Sequence, residues 1–209
     1  MSHDITIQDR SFIGQPNLEH KHDNSALGFS WRPGRKKQSI LIKNCKIDAN
    51  GASEGLKLSW CRDVLVENCT IIGGYEDCVD IVKGRDITFR NCKFIAKNTK
   101  HHFTIKCMAS NIIIKDCEFI NNFNHVYDGA CVDMGNWSLY DTEDLKKTQG
   151  VIIQNCSLKN MSWYKKILTR RIYAKSAIIK QTSGFNLKIP RLFVKIFWAF
   201  KRCQAKKKT

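Results

Sequence analysis

One eight-residue pattern, written six times, constrains this chain more than any other feature. Ile40-Leu41-Ile42-Lys43-Asn44-Cys45-Lys46-Ile47 returns as Val64 to Ile71, as Ile87 to Phe94, as Ile112 to Phe119 and as Val151 to Leu158. A weaker copy, Ile5 to Phe12, opens the chain. The copies start at residues 5, 40, 64, 87, 112 and 151, so the inner spacings are 24, 23 and 25 and the outer ones 35 and 39. The excess residues form loops. Inside each copy β-branched residues alternate with period two, the signature of a strand. A second short strand is expected before each later copy, at Leu27-Gly28-Phe29, Leu56-Lys57-Leu58, Val79-Asp80-Ile81, Phe103-Thr104-Ile105 and Val132-Asp133-Met134. Short strands at this period, with no helical pattern between them, predict a parallel β-solenoid.

Successive coils of a solenoid stack at the roughly 4.8 Å strand spacing, so equivalent residues form columns. Asp9, Asn44, Asn68, Asn91, Asp116 and Asn155 then make a polar ladder at one turn, expected to satisfy backbone groups freed by the bend. Cys45, Cys69, Cys92, Cys117 and Cys156 make an inward column of small apolar thiols, read as packing rather than metal binding. This pattern resembles the right-handed parallel β-helix of the pectin-lyase-like superfamily, asparagine ladder included. The resemblance covers about residues 5 to 161. It implies an all-β fold, a right-handed parallel β-helix of about six coils over residues 1–161, and the end of the repeat leaves residues 162–209 as a basic, partly helical tail.

Stacking also aligns Glu54, Asp77 and His101, each leading into a second strand, with Glu76 beside Asp77. The order resembles that of polygalacturonases, in which an Asn-Thr-Asp-Gly coil precedes an Asp-Asp-Cys coil and a Gly-His-Gly coil. Here the stretches are Ala52-Ser53-Glu54-Gly55, Glu76-Asp77-Cys78 and Lys100-His101-His102, and the later Arg-Ile-Lys motif has no counterpart except Thr104-Ile105-Lys106, one coil earlier. Two carboxylates one coil apart disfavour simultaneous ionisation, which leaves one protonated as an acid beside a charged base, the requirement of glycoside cleavage. Glu54, Glu76, Asp77 and His101 are therefore the catalytic candidates. A lyase reading uses Lys57 or Lys106 as the base. Lys57, Asp80, Lys106, Asp133, Trp31, Trp60 and Trp137 are candidates for substrate binding, the tryptophans by stacking on sugar rings. The opposing reading takes the acidic residues as solvated turns, Asp80 as a surface ion pair with Lys57, and the tryptophans as packing. No cofactor is expected. Calcium held by Asp77, Asp80 and Asp133 is the alternative. Insertions at 14–25 and 135–149 are long enough to wall a groove.

Charge divides the chain. Of a net +16, residues 1–161 carry 21 basic and all 19 acidic residues, a net +2, while residues 162–209 carry 14 basic residues and no acid. In residues 187–207, Lys188, Arg191, Lys195 and Arg202 take one side of a helix and leave an apolar face of Leu192, Phe193, Ile196, Phe197 and Phe200. That composition suits an anionic membrane surface, with capping of the solenoid as the alternative for 162–185. The dense apolar face argues against nucleic acid as the partner. No signal-like start and no apolar run of 18 residues is present, and ten cysteines point to reduced thiols, so a cytoplasmic protein with peripheral membrane association is expected. These readings predict a β-helix protein that binds a polysaccharide or lipid-linked glycan and cleaves or modifies it. The rival is a noncatalytic binding or assembly module of viral, phage or surface type.

Overall fold

The computed structural model describes residues 3–16, 24–31, 38–97, 99, 101–121, 132–133, 149–159 and 178–180. Each of the first five coils is built from three short strands, because each run of alternating apolar residues ends at a position that forces the chain to turn. The first coil holds β1 (Ile5–Gln8), β2 (Ser11–Ile13) and β3 (Ser25–Ser30), and the second holds β4 (Ile40–Lys43), β5 (Lys46–Asp48) and β6 (Glu54–Ser59). Next come β7 (Arg62–Glu67), β8 (Thr70–Ile72) and β9 (Asp77–Val82), then β10 (Arg85–Arg90), β11 (Lys93–Ala96) and β12 (His101–Lys106). The chain continues through β13 (Ser110–Lys115), β14 (Glu118–Asn121), β15 (Val132–Asp133), β16 (Gln149–Gln154), β17 (Ser157–Lys159) and β18 (Ile178–Lys180).

Strands pair only with their counterparts in neighbouring coils, all in parallel. They form sheets of seven strands (β1-β4-β7-β10-β13-β16-β18), six strands (β17-β14-β11-β8-β5-β2) and five strands (β15-β12-β9-β6-β3). The expected register holds residue for residue: Ile40, Val64, Ile87, Ile112 and Val151 are partners in sequence. β18 falls within the segment read as tail and extends the seven-stranded sheet alongside β16. The helix read at 187–207, Trp137, and most of both insertions lie outside the described residues. Among the described residues no helix is long and apolar enough to cross a membrane.

Inward positions fill one continuous core. Phe89, Phe94, Phe103 and Phe119 are fully buried at its centre, with Phe94 and Phe103 edge to face at 4.6 Å between centroids and Phe89 and Phe103 at 5.0 Å. The five stacked cysteines are buried beside them, and each thiol donates to the carbonyl two residues back, at 3.0–3.3 Å in Cys92 and Cys117. Neighbouring thiols and burial push the Cys92 and Cys156 pKa values up, which keeps these groups as neutral packing units.

The asparagine ladder differs from expectation in what it bonds. Asp9, Asn44, Asn68, Asn91, Asp116 and Asn155 all have φ between 49° and 55°, the left-handed region that Asn and Asp tolerate best. Their backbone N–H groups bond carbonyls of the adjacent coil, as Asn44 does to Glu67 and Asn68 to Arg90, both at 3.0 Å. The side chains instead bond one another: Asn44 donates to Asp9 at 2.9 Å, Asn68 to Asn44 at 3.3 Å and Asn155 to Asp116 at 2.6 Å. The ladder therefore buys turn geometry and side-chain stacking, because parallel pairing already satisfies the backbone at the bend.

Candidate active site

The five-stranded sheet brings the sequence candidates together. Glu54 on β6 is the register partner of Asp77 on β9, and Asp77 is the partner of His101 on β12. Backbone bonds from Glu76 to Ser53 at 3.0 Å and from His101 to Glu76 at 3.2 Å fix this stack. Close approach at the preceding turn requires glycine, since a Cβ on Gly74 would collide with the Ala52 carbonyl oxygen.

Within the stack, Asp77 Oδ1 lies 3.1 Å from His101 Nδ1, and the two residues are only 5% and 6% exposed. Burial raises the Asp77 pKa, opposed by the hydrogen bond and charge of His101, while Asp80 adds to the rise and the Thr104 hydroxyl lowers it. Glu54 is also buried, at 1% exposure, and Glu76 is half-buried.

A second row runs through Lys57, Asp80, Thr104 and Asp133 as register partners. Here the sequence reading needs correction. Asp80 is not a surface ion pair but 1% exposed, and its Oδ2 takes two ammonium groups, Lys57 at 3.3 Å and Lys106 at 3.2 Å. A buried carboxylate must be paired, and breaking such a pair costs far more than breaking an exposed one. Lys57 also reaches Glu54 Oε1 at 3.6 Å, which joins the two rows. Burial disfavours the charged form of Lys106, but the Asp80 charge outweighs it and the Lys106 pKa is raised. The acidic candidates are likewise buried rather than solvated, apart from the half-buried Glu76.

Thr104 is the site residue that sequence reasoning missed. It occupies the same row as Lys57 and Asp80, so its spacing was the available signal. His102 points elsewhere: its Nε2 lies 3.1 Å from the Ile120 carbonyl oxygen and its ring packs edge to face on Phe119, with burial lowering its pKa to about 4. Beyond the sheet, Trp31 packs partly buried against the core, while Trp60 stands half-exposed with Lys83 Nζ 4.4 Å from its ring centroid. Among the described residues no three His, Cys, Asp or Glu side chains are grouped to hold a metal ion, and the nearest oxygen of Asp80 is occupied by lysines. The Asp133 side chain lies outside the described residues.

The arrangement can pass a proton between a carboxyl of raised pKa and an imidazole, next to two ammonium groups that are the more exposed members of the cluster, at 18% and 30%. Known proteins give a coarser likeness. No curated protein matches the sequence. Among solved structures, that of a periplasmic alginate epimerase, AlgG, superposes with a TM-score of 0.54 at 14% identity, over 85% of this chain and 39% of that one. The chain thus spans well under half of that protein, and the similarity is one of fold. The family described as right handed beta helix region matches residues 2–140. With three parallel sheets wound in register around a single core, this chain belongs to the right-handed β-helix family.

Proposed function

We propose that the protein acts on an acidic polysaccharide, with Asp77 and His101 transferring the proton. The observation that carries this reading is the buried Asp77–His101 pair at 3.1 Å, placed over Glu54 and beside the Lys57–Asp80–Lys106 group. Burial and a charged partner are the means by which catalytic groups are tuned. The two lysines are the parts of the cluster a polymer meets first, and their charge suits a uronate carboxylate. Neutralising that carboxylate eases removal of the adjacent C–H proton, the step shared by lyase and epimerase chemistry. Asp77 and His101 act as acid and base, and Glu54 serves with Asp77 in the hydrolytic alternative. The alginate epimerase likeness supports a glycan as the partner.

The test is turnover on polygalacturonate and alginate, followed by NMR of the sugar ring protons. Asp77→Asn and His101→Gln are each expected to lower the rate by about a hundredfold or more, the usual worth of a positioned acid or base. Full turnover in both variants would defeat the catalytic reading. Binding without any chemical change in the wild-type chain would establish the noncatalytic module instead. The basic segment 187–207 is read here as a membrane-surface anchor, supported by its acid-free composition and apolar helical face.

A further inference from the structure

Next to the candidate active site, the corner leading from the five-stranded to the seven-stranded sheet gathers three cations, Arg62, Lys83 and Arg85. Arg62 and Arg85 are register partners on adjacent coils, roughly 4.8 Å apart along the backbone. Lys83 sits two residues before Arg85, with its ammonium 4.4 Å from the centroid of the Trp60 ring. Among the described residues, no carboxylate pairs with any of these three cations. Like charges in register repel, so the fold holds them together against their own electrostatics.

Two donors at this corner are also unsatisfied. The Nε of Arg62 and the indole Nε1 of Trp31 are shut off from solvent and have no hydrogen-bond partner among the described residues. Trp31 follows β3 at the level of Trp60, bonded through its N–H to Ser59 at 3.0 Å. A buried donor without an acceptor costs free energy at this corner. Trp60 itself has φ of 61°, a region that bulky residues rarely enter, and its half-exposed ring stays at the corner.

We infer that Trp60, Arg62, Lys83 and Arg85 form a second glycan-binding site, which grips an anionic stretch of polysaccharide where it leaves the catalytic sheet and turns the corner. Arginine forks provide donors for carboxylate oxygens, and the Trp60 face provides a platform for a sugar ring. The class of ligand rests on the acidic-polysaccharide reading above. The existence of the site rests on the three cations gathered beside the half-exposed Trp60 ring.

Because the basic tail also attracts polyanions, the test uses a local readout on the full-length chain. Phenylglyoxal modification of each arginine is followed by peptide mass spectrometry, with oligogalacturonate or its neutral methyl ester as the probe. Oligogalacturonate is expected to slow modification of Arg62 and Arg85 by about fivefold or more, the methyl ester to leave both unchanged. Equal modification rates with and without oligogalacturonate would overturn the proposal, as would protection confined to Arg170, Arg171, Arg191 and Arg202. Stronger protection by single-stranded DNA or by phosphatidylserine vesicles would overturn it in favour of those ligands. Arg62→Gln with Arg85→Gln should weaken oligogalacturonate binding about tenfold and flatten its salt dependence, while the paired lysine replacements keep most of it. A chain in which Asp77→Asn turns over normally but the corner is still protected would lose the catalytic reading and keep this one.

Discussion

His102 and Asp80 are two buried polar residues with opposite electrostatic lives. His102 is neutral in the fold because burial lowers its pKa from 6.5 to about 4. A histidine buried neutral binds a proton more readily in the unfolded chain, so its contribution to stability is complete above pH 6.5 and is lost as pH falls toward 4. Over that window the loss amounts to about 3 kcal/mol. His102→Gln keeps a donor for the Ile120 carbonyl but cannot titrate, so urea unfolding at pH 7 and pH 4.5 should differ less in this variant than in the wild type. An unchanged difference would refute the assignment. Asp77 carries the opposite sign, since its raised pKa favours the fold at low pH and withdraws that support as pH rises through the folded value. Asp80 lies between two ammonium groups, those of Lys57 and Lys106. Asp80→Asn leaves Lys57 and Lys106 facing one another half-buried, and is expected to destabilise the protein by about 3 kcal/mol, seen as a lower urea midpoint with unchanged slope.

At the level of the element, the turn between the first two strands of each coil depends on one backbone conformation. Asn91 has φ of 53° and its N–H bonds the Lys115 carbonyl at 3.2 Å. Asn91→Ala should cost about 1 kcal/mol, and Asn91→Gly should recover most of that loss, as measured by thermal unfolding. If alanine and glycine behave alike, the conformational explanation fails. Gly74→Ala should be more damaging, because the Ala52 carbonyl occupies the space a Cβ needs and Glu76 and Asp77 hang on that turn. This scale is where the sequence was most legible. The repeat period alone places Glu54, Asp77 and His101 in one column, since parallel register leaves no freedom once the strands are found. It could not reveal that Asp80 is buried, because alternation tells which side of a strand a residue takes and says nothing of what covers that side. Thr104 was overlooked for a related reason: a threonine in a strand reads as β propensity until its neighbours in the row, Lys57 and Asp80, are seen to be functional candidates. Nor does spacing separate a side-chain ladder from backbone capping at the asparagine turns, as both need the same residues in the same places.

For the whole molecule, stability is the sum of coil-on-coil contacts, because each strand pairs only with its counterparts one coil away. Charge is divided along the same axis. Residues 1–161 hold the candidate chemistry with near-neutral charge, and the remainder holds fourteen of the 35 basic residues. Removal of residues 187–209 is therefore expected to abolish flotation with anionic liposomes while leaving turnover on soluble glycan intact. Retained flotation would remove the membrane-anchor reading of this segment.

The candidate residues are donated one coil at a time, by β6, β9 and β12 in immediate succession. Tandem duplication of a 23- to 25-residue coil outside these three would therefore leave the cluster intact, whereas a copy inserted between β6 and β12 would part Lys57 from the Lys106 with which it shares Asp80. Such an architecture lets new specificities arise by copying and drift, in quanta of a coil.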